Sequence, residues 1–563
     1  MVSTGIVEKT RGQIAEMLRK ALASAGKKGI LPEVEAPEFV VEVPREKDHG
    51  DFATNMAMLL ARPARSAPRK IAEALTGELD LKGTPVERVE VAGPGFINFY
   101  LKFDWANSQL PDIISLDENF GRVDIGGGKK VQVEFVSANP TGLLHMGNAR
   151  GAALGDSLAA ILEFAGYDVT REFYINDAGN QVEHFGRSLE ARYFQLLGRE
   201  AEVPEDGYHG EDIIETMKGF IQKYGDGLMD APEDERRETM VNYALAEKIG
   251  AIKKTLEEFG VKYDVWFSEK SLHESGAVME AVNRLRERGY LYDHEDAVWF
   301  RAGEFGVEKD EVLVRSNGVP TYFAADIAYH MNKFERGFDR IINIWGADHH
   351  GHVPRMKGAV EALGYDPDAL QVIIMQLVRL YKNGVIVRMS KRTGQFVTLE
   401  ELVEEVGKDA ARYFFVMRSP DSHLEFDMDL AKARTNENPV YYIQYAHARI
   451  CSIIRQLKEQ GGAMPDPEKA DLSLLVEEPE MALIRKLADF PEEVGASARD
   501  MAPHRLARYL LETAGLLHSY YNAHRVISGS PELTGARLVL VNATRIVLRN
   551  GLRLLGLTAP EKM

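Results

Sequence analysis

A turn that carries His145 has the residue types needed to bind phosphate. The segment NPTGLLHMGNARGAALGD, residues 139–156, places this histidine among glycines and small residues, directly after the alternating apolar stretch VQVEFVS. His145 could donate to a phosphate oxygen, Gly147 permits close approach of the backbone, and Asn148 adds a neutral donor. The segment contains neither GxxxxGK[ST] nor GxGxxG. A glycine-rich turn that only packs a helix against a sheet explains the spacing equally well.

A second segment, VIVRMSKRTGQF, has the residue types needed to hold a polyphosphate. It places Arg388, Lys391 and Arg392 in a short loop after an apolar strand. Three cations with a serine and a glycine could grip a polyphosphate and then release it. Taken alone, a solvated basic loop is the more ordinary interpretation.

The segment GADHHGH offers a third group of side chains, Asp348, His349, His350 and His352. Because histidine is a common zinc ligand, the cluster suggests a metal site. No cysteine lies nearby and the HExxH spacing is missing, so a metal site is the less favoured interpretation.

These segments must be positioned by an α/β framework. From Val131 the pattern runs strand, turn, helix and strand, and it recurs at RIINIWGADHHGH and LQVIIMQLV, as is typical of a parallel sheet. Residues 1 to about 110 mix helical periodicity with the strand-like segments PEFVVEVP and GPGFINFYL. A helical, charge-rich region, roughly 178–295, interrupts the α/β alternation. After about residue 400 the strand signals vanish, and helices are predicted for the rest.

Composition limits the class of protein. A chain of 563 residues is too long for one core and predicts about three or four domains. No uncharged apolar run reaches about 18 residues and the N-terminus lacks a signal core, so no membrane span or export is expected. The single cysteine, Cys451, excludes a disulfide framework, and together these features predict a cytoplasmic protein. The net charge of −18 argues against a coat of nucleic acid, although a local basic face could bind RNA.

The two phosphate-binding candidates, taken together and in this order, resemble the signature motifs of class I aminoacyl-tRNA synthetases. Members of that family carry HxGH and KMSKS, where this chain has HMGN and RMSKR. Further segments are similar to the arginyl-tRNA synthetases in particular: EFVSANPTGLLHMGNARGAALGD, GDFATNMAM, GPGFINFYL, YAHARI and LLGLTAPEKM. The resemblance covers essentially the whole chain and is least distinctive near residues 200–250.

The resemblance implies a multidomain protein. An α+β N-terminal domain (1–115) would bind the tRNA elbow, a Rossmann-like α/β domain (125–400, with the helical insertion at about 178–295) would catalyse the reaction, and an all-α domain (401–563) would bind the anticodon. The enzyme would be a monomer that ligates L-arginine to tRNA(Arg). It would use ATP with Mg²⁺ to form arginyl-adenylate, and then transfer arginine to the terminal adenosine 2′-hydroxyl. No structural metal, DNA or membrane partner is expected.

The resemblance also implies roles for single residues. Glu134 and Asp326 would hold the planar guanidinium of arginine in bidentate fashion, with Tyr322 on the helical face of Asp326. The residues expected to bind arginine are Glu134, Ser137, Asn139, Tyr322, Asp326 and His349. Those expected to bind ATP are Asn139, Pro140, His145, Gly147, Asn148, Gly346, Asp348, His349, Met389, Ser390 and Lys391. The expected catalytic residues are His145, Asn148, Arg388, Lys391 and Arg392. Without the resemblance, Glu134 and Asp326 would be interpreted as ordinary paired or capping carboxylates.

Candidate tRNA contacts lie outside the α/β part. The first set is Tyr441, Tyr445, Arg449, Arg545, Arg549 and Arg553, and the N-terminal patch ARPARSAPRK adds Arg62 and Arg65. Anticodon bases are typically bound by aromatic and arginine planes together with hydrogen bonds to base edges. The alternative is a solvated cationic stripe with core tyrosines.

Other classes of protein remain open. A cysteine-specific relative would need zinc-binding cysteines that are missing here, and a glutamate-specific one would want a guanidinium where carboxylates occur. A catalytically dead RNA-binding paralogue is compatible with the departures at Asn148 and Arg388. A plain nucleotidylyltransferase would share the histidine turn without needing two flanking domains.

Overall fold

The N-terminal part combines a long helix with a small antiparallel sheet. The computed structural model describes residues 5–44, 49–102, 104–387 and 397–563. The elements of this part are α1 (Ile6–Lys27), β1 (Val41–Glu42), β2 (Phe52–Thr54), α2 (Met56–Leu59), α3 (Pro68–Gly77), β3 (Val86–Ala92) and β4 (Phe96–Leu101). The sheet order is β1-β2-β4-β3. α1 buries Ile14, Leu18 and Leu22 at helical spacing, and this apolar stripe completes the core over the sheet.

The middle of the chain is built on a parallel sheet with the order β12-β11-β5-β6-β7. Its elements are α4 (Gln109–Leu116), β5 (Lys130–Glu134), α5 (Met146–Phe164), β6 (Asp168–Ile175), α6 (Asn180–Leu196), α7 (Glu211–Tyr224), α8 (Glu233–Glu258), β7 (Val265–Ser268), α9 (Glu269–Glu274), α10 (Ala277–Glu287), β8 (Leu291–His294), β9 (Ala297–Phe300), β10 (Glu311–Val314), α11 (Tyr322–Glu335), β11 (Arg340–Gly346), α12 (His352–Ala362), β12 (Leu370–Met375), β13 (Val378–Lys382) and β14 (Val385–Val387). After β5 the chain moves to β6 on one side and later returns to β11 on the other. This switch in direction opens a crevice at the carboxyl ends of β5 and β11.

Close packing of α5 on this sheet depends on a glycine. A Cβ atom added to Gly155 would lie 2.2 Å from Cγ of Phe135, directly after β5. Any larger residue would therefore push the helix away from the sheet. The predicted strand, turn and helix around His145 are confirmed. The close packing of α5 on the sheet fixes this turn over the crevice.

The helical insertion is less extensive than predicted. α6, α7 and α8 pack on one another around Phe185, Tyr193 and Phe220, but β7 lies inside the range 178–295 and extends the parallel sheet beside β6. β8 follows in the same range and pairs with β9. The region is mostly helical, as predicted, but the sequence did not indicate these two strands, because a strand of four residues is too short to show a period. In the structure, Trp266 of β7 stacks on Phe173 of β6.

The last part of the chain is mostly helical, with one strand that the sequence did not predict. Its elements are α13 (Leu399–Val406), α14 (Lys408–Val416), β15 (Leu424–Asp427), α15 (Met428–Lys432), α16 (Pro439–Glu459), α17 (Glu478–Ala488), α18 (Phe490–Arg499), α19 (Pro503–Ala523) and α20 (Pro531–Leu554). β15 pairs in parallel with β13 and buries Leu424 and Phe426. The expectation that strands end near residue 400 is therefore wrong. Among the described helices, none combines the length and apolarity needed to span a membrane.

The fully buried side chain of Arg412 joins the parts of the molecule. Its guanidinium donates to Asp156 Oδ2 of α5 at 2.5 Å, to the carbonyl of Phe259 after α8 at 3.2 Å, and to the carbonyl of Leu555 after α20 at 3.1 Å. Gly556 leaves room for it, since a Cβ there would lie 2.1 Å from an Arg412 nitrogen. One cation thus joins α5, the helix that begins at the His145 turn, to the ends of α8 and α20.

Replacing Arg412 by methionine is expected to lower the free energy of unfolding by about 3–5 kcal/mol, because Asp156 and two carbonyls would lose their buried partner. Urea denaturation followed by tryptophan fluorescence measures the change. Arg508→Met is the control, since Arg508 is 69% exposed and lies 3.7 Å from Glu512. Its loss should stay below about 0.5 kcal/mol. Equal losses in the two variants would contradict the assigned role of Arg412.

Candidate active site

Two adjoining cavities occupy the crevice at the carboxyl ends of β5 and β11. The first, of about 540 Å³, lies between β5, β6, α9 and α11, and the second, of about 610 Å³, lies over the start of α5. Gly346, Asp348 and His349 belong to the walls of both cavities. Two ligands bound side by side could therefore meet at the end of β11.

The chain leaves β5 through a strained turn. Val136 and Ser137 have φ angles of +69° and +39°, a backbone region that non-glycine residues rarely adopt. The turn is stabilised by the Ser137 hydroxyl, which donates to Glu134 Oε1 at 2.9 Å and accepts from the amide of Tyr174 at 3.2 Å. Strain of this kind persists where the surroundings hold it, and here it directs Ser137 and Glu134 toward the first cavity.

Both oxygens of the Glu134 carboxylate already have partners. Besides the Ser137 contact, Oε2 accepts from the ammonium of Lys333 at 2.6 Å. Glu134 lines the first cavity, as predicted from its position at the end of a strand, but it is only 7% exposed. Each carboxylate oxygen has a second lone pair, so Glu134 can accept one further hydrogen bond per oxygen from a ligand in the cavity. The sequence contained no direct signal for the pairing with Lys333.

Helix α11 presents one face to the first cavity. Tyr322 and Asp326 lie one turn apart on it, as their spacing predicts, and His330 continues the same face. His352 of α12 binds Asp326 Oδ2 at 2.6 Å, and His330 Nδ1 lies 3.2 Å from the other oxygen. Burial alone would raise the pKa of the Asp326 carboxyl, but attraction and hydrogen bonding from His330 and His352 hold this pKa well below its usual range. Asp326 therefore stays ionised.

One further carboxylate in the first cavity was missed by the sequence analysis. Glu269, at the start of α9, is 3% exposed and lines the wall of the cavity. Burial raises the pKa of its carboxyl, while hydrogen bonds from Tyr174 and His273 partly oppose the shift. Glu269 directly follows β7, so recognising that strand would have marked it as a residue at the carboxyl end of the sheet.

The second cavity is lined by the predicted phosphate turn. His145 caps α5: its Nδ1 accepts from the amide of Gly147 at 3.2 Å, and its own amide donates to Asn148 Oδ1 at 3.1 Å. A Cβ on Gly147 would lie 3.1 Å from the imidazole, so the glycine gives the ring its place. The turn borders open space at a helix N-terminus, where backbone N–H groups favour an anion.

The second predicted phosphate segment lies outside the described residues, and with it Arg388, Met389, Ser390, Lys391 and Arg392. Its described neighbour on the C-terminal side is tied to the His145 turn. Thr398 forms an isolated β-bridge with His145, and the amide of Leu399 donates to the carbonyl of Leu144 at 2.9 Å. The described chain that follows the second segment therefore lies beside the His145 turn, although the two are far apart in sequence.

The remaining predicted ligand residues lie at the edges of the two cavities or outside their walls. Asp348 and His349 are exposed, lie 3.6 Å apart, and face both cavities. Asn139 is exposed and accepts from Asn176 at 3.2 Å, whereas Pro140 is buried, and neither is part of the two cavity walls described here. Within the described ranges, no group of three or more His, Cys, Asp or Glu side chains could hold a metal ion.

The predicted arginine stripe on α20 is largely used inside the molecule. Arg549 binds Asp117 Oδ1 at 2.7 Å, and Arg553 donates to the carbonyl of Glu118 at 2.7 Å, both in the segment before β5. These two arginines fasten α20 to the segment before β5, while 29% of the Arg549 side chain and 48% of the Arg553 side chain stay exposed, so their contact with RNA stays a prediction. Arg545 donates to Asn542 of its own helix at 3.1 Å.

The predicted tyrosines of α16 form a partly exposed aromatic cluster. Tyr441 and Tyr445 stack with ring centroids 6.0 Å apart, and Tyr445 stacks on His518 of α19 at 5.8 Å. Arg449 lies over the rings of Tyr445 and Tyr521, at 5.2 and 4.2 Å. Planar groups of this kind are the typical binding surface for unstacked bases.

The N-terminal basic patch is exposed. Arg62 and Arg65 have exposed side chains in the turn before α3 and form no ion pair with the described part of the chain. Arg65 has a φ angle of +47°. These cations are therefore available to an external partner.

Comparison with known families covers the whole chain. Residues 12–101 match the model of the arginyl tRNA synthetase N terminal domain, 109–427 that of the tRNA synthetases class I (R) catalytic domain, and 443–563 that of the DALR anticodon binding domain. The chain is 66% identical to the arginine–tRNA ligase of Desulforamulus reducens, covering 99% of this chain and 100% of that protein. For the enzyme of Desulforudis audaxviator the identity is 63%, with 98% and 99% covered.

A solved structure agrees with these matches. The crystal structure of a putative arginyl-tRNA synthetase from Campylobacter jejuni superposes with a TM-score of 0.75 at 34% identity, covering 82% of this chain and 100% of the other.

Gly147→Ala is expected to weaken binding of MgATP about tenfold, because the added methyl group would displace the His145 ring from the start of α5. Equilibrium dialysis with labelled ATP measures the dissociation constant. Gly250→Ala is the matched control, a glycine inside α8 with open space around it. That variant should bind ATP like the wild type. Equal affinity in both variants would show that the turn does not hold the nucleotide.

Proposed function

The chain belongs to the class I arginyl-tRNA synthetases, and from this premise we propose how its crevice ligates L-arginine to tRNA(Arg). ATP and arginine first form arginyl-adenylate with release of pyrophosphate, and arginine then passes to the 2′-hydroxyl of the terminal adenosine. The observation that carries the proposal is the position of two carboxylates, Asp326 and Glu269, in the cavity beside the N-terminus of α5.

We propose that the first cavity binds arginine. A guanidinium has five N–H donors in a plane, and the carboxylates of Asp326 and Glu269 are suitable acceptors. Tyr322, which is 49% exposed at the mouth of the cavity, can stack on the guanidinium plane. Glu134 and Ser137, on the β5 side, then face the α-ammonium group. The proposal thus assigns Glu134 to the α-ammonium group and not to the guanidinium, for which Asp326 and Glu269 are the acceptors.

The second cavity takes ATP with its Mg²⁺. The phosphates lie against the N-terminus of α5, where His145, Gly147 and the Nδ2 donors of Asn148 border the space. By the resemblance of RMSKR to the second signature motif, Arg388, Lys391 and Arg392, with Met389 and Ser390, are assigned to the same phosphates. Asn139 and Pro140, which precede the His145 turn, are assigned to ATP by the same resemblance. Gly346, Asp348 and His349 lie between the two substrates.

The chemistry requires no enzyme nucleophile. The arginine carboxylate attacks the α-phosphorus in line, the bond to the β-phosphate oxygen breaks, and Mg-pyrophosphate leaves. Catalysis then consists of positioning and of stabilising the negative charge on the phosphoryl oxygens. Removal of one such donor costs about 2.7–4 kcal/mol of barrier in oxyanion holes, and a similar loss is expected for His145 or Lys391.

tRNA(Arg) would be held by the outer parts of a monomer that works in the cytoplasm. Tyr441, Tyr445 and Arg449 support the anticodon loop by stacking, and Arg62 and Arg65 attract the phosphates of the elbow. Arg545, Arg549 and Arg553 can assist, although the last two also hold Asp117 and Glu118. The proposed division of labour follows the ranges 1–115, 125–400 and 401–563.

Purified protein with total tRNA and MgATP should charge arginine and no other amino acid, as measured with each labelled amino acid in turn. Lysine should fail, because its compact ammonium leaves the two carboxylates partly unpaired. ATP–pyrophosphate exchange should require tRNA(Arg). Charging with a different amino acid would refute the arginine pocket, and tRNA binding without any charging would indicate an inactive paralogue.

Asp326→Asn and Glu269→Gln should each raise the KM for arginine about 10–100-fold, since each removes a charged hydrogen bond worth about 1.5–3 kcal/mol. Steady-state aminoacylation measures the effect. Glu335→Gln, on the same helix as Asp326 but 45% exposed and paired with Arg284, is the control and should leave KM unchanged. A KM for Asp326→Asn within twofold of the wild type would contradict the pocket assignment.

A further inference from the structure

Lys333 is a buried cation that the proposed reaction does not use. Its side chain is 0% exposed, in the last turn of α11. The ammonium donates to Glu134 Oε2 at 2.6 Å and to Asn343 Oδ1 at 2.9 Å, and it lies 4.2 Å from the ring centre of Tyr329. A lysine is rarely buried to this degree, because losing water costs a charged group several kcal/mol unless its partners replace the water.

A chain of hydrogen bonds connects Lys333 to the other side of the arginine pocket. Because an ammonium can only donate, Asn343 accepts through Oδ1 and turns Nδ2 toward Nε2 of His330, 2.7 Å away. The Nδ1–H of His330 then points at Asp326, 2.8 Å from its carbonyl and 3.2 Å from its carboxylate. Lys333 therefore contacts Glu134 directly and Asp326 through the side chains of Asn343 and His330.

We propose that Lys333 is a positioning residue for arginine selection, which holds Glu134 and Asp326 in fixed orientations before the substrate enters. The inference rests on the proposed function, since it assumes that this cavity takes arginine. The ammonium balances the charge of the Glu134 carboxylate and replaces the hydrogen bonds that water would donate to it at the protein surface. The pocket thus keeps two carboxylates in fixed positions, one for each charged end of the substrate, and binding needs little rearrangement.

The charged and titratable groups around Glu134 come from several elements. They are Lys333 and Tyr329 of α11, Tyr174 and Glu172 of β6, and Tyr263 before β7. Arg336 binds Glu172 in bidentate fashion, at 2.6 and 2.9 Å, so its charge is used there. Among these groups, Lys333 is the cation in contact with Glu134, and without it the carboxylate would face mostly phenol rings.

Lys333→Met should therefore impair arginine binding. Without the ammonium, Glu134 loses its hydrogen-bonded partner and the path to Asp326 is cut, so neither carboxylate is held in place for the substrate. The KM for arginine in aminoacylation should rise about tenfold. The KM for ATP and kcat at saturating arginine should change less than about threefold.

Lys248→Met is the matched control. Lys248 is 7% exposed and binds Asp212 at 2.7 Å between α7 and α8, outside the walls of both cavities. This variant should lose stability without any change in the arginine KM. Asn343→Leu, a second test, keeps the contact between Lys333 and Glu134 but cuts the path to Asp326. Its arginine KM should rise as well, with kcat unchanged.

A Lys333→Met variant with a lowered Tm but the arginine KM of the wild type would overturn the proposal, because a purely structural lysine gives that result. If Lys333→Met does not fold, an unchanged KM in Asn343→Leu overturns it instead. A wild-type protein that charges no arginine would refute the proposed function as well. If the wild type charges arginine and only the variants contradict the expectation, the role of Lys333 alone is refuted.

Discussion

The ion pair between Glu134 and Lys333 joins the central strand β5 to helix α11 in the largely buried wall of the first cavity. A charge in such a place must meet an opposite charge or a set of dipoles, and the same requirement recurs nearby. Glu172 is held by Arg336, and Asp156 by Arg412. These pairs lie on the strands and helices that border the crevice. The cost of leaving any of them unpaired restricts how those elements can shift, and it gives the substrate cavities their defined shape.

Much of the architecture could be predicted because it depends on long periodic segments. The strand and helix around His145, the face shared by Tyr322 and Asp326, and the C-terminal helices all follow from the spacing of apolar residues. The four-residue strands β7 and β15 are too short to show a period, and they form because a neighbouring strand is there to pair with. Missing β7 also concealed Glu269. The partners of Glu134 and Arg549 depend on contacts between distant segments, which no local pattern encodes.

The distribution of charge reconciles an acidic chain with a polyanionic partner. A net charge of −18 would repel RNA if it were spread evenly. The described cations are instead divided between internal contacts, such as Arg549 with Asp117, and a few outward positions, such as Arg62. The stacked tyrosines of α16 add a contact that needs no net charge. Selective binding of one folded RNA is then favoured over general attraction to nucleic acid.

The contacts of Arg412 also bear on how the protein folds. They join residues 143, 153 and 256 positions apart in sequence, and each requires a different helix to be in place. Closing loops of that length costs conformational entropy, and the contacts of Arg412 must offset this cost. Until the three helix ends meet, Asp156 and the cation are free to be solvated by water. A single buried guanidinium therefore couples the folding of segments that are far apart in the chain.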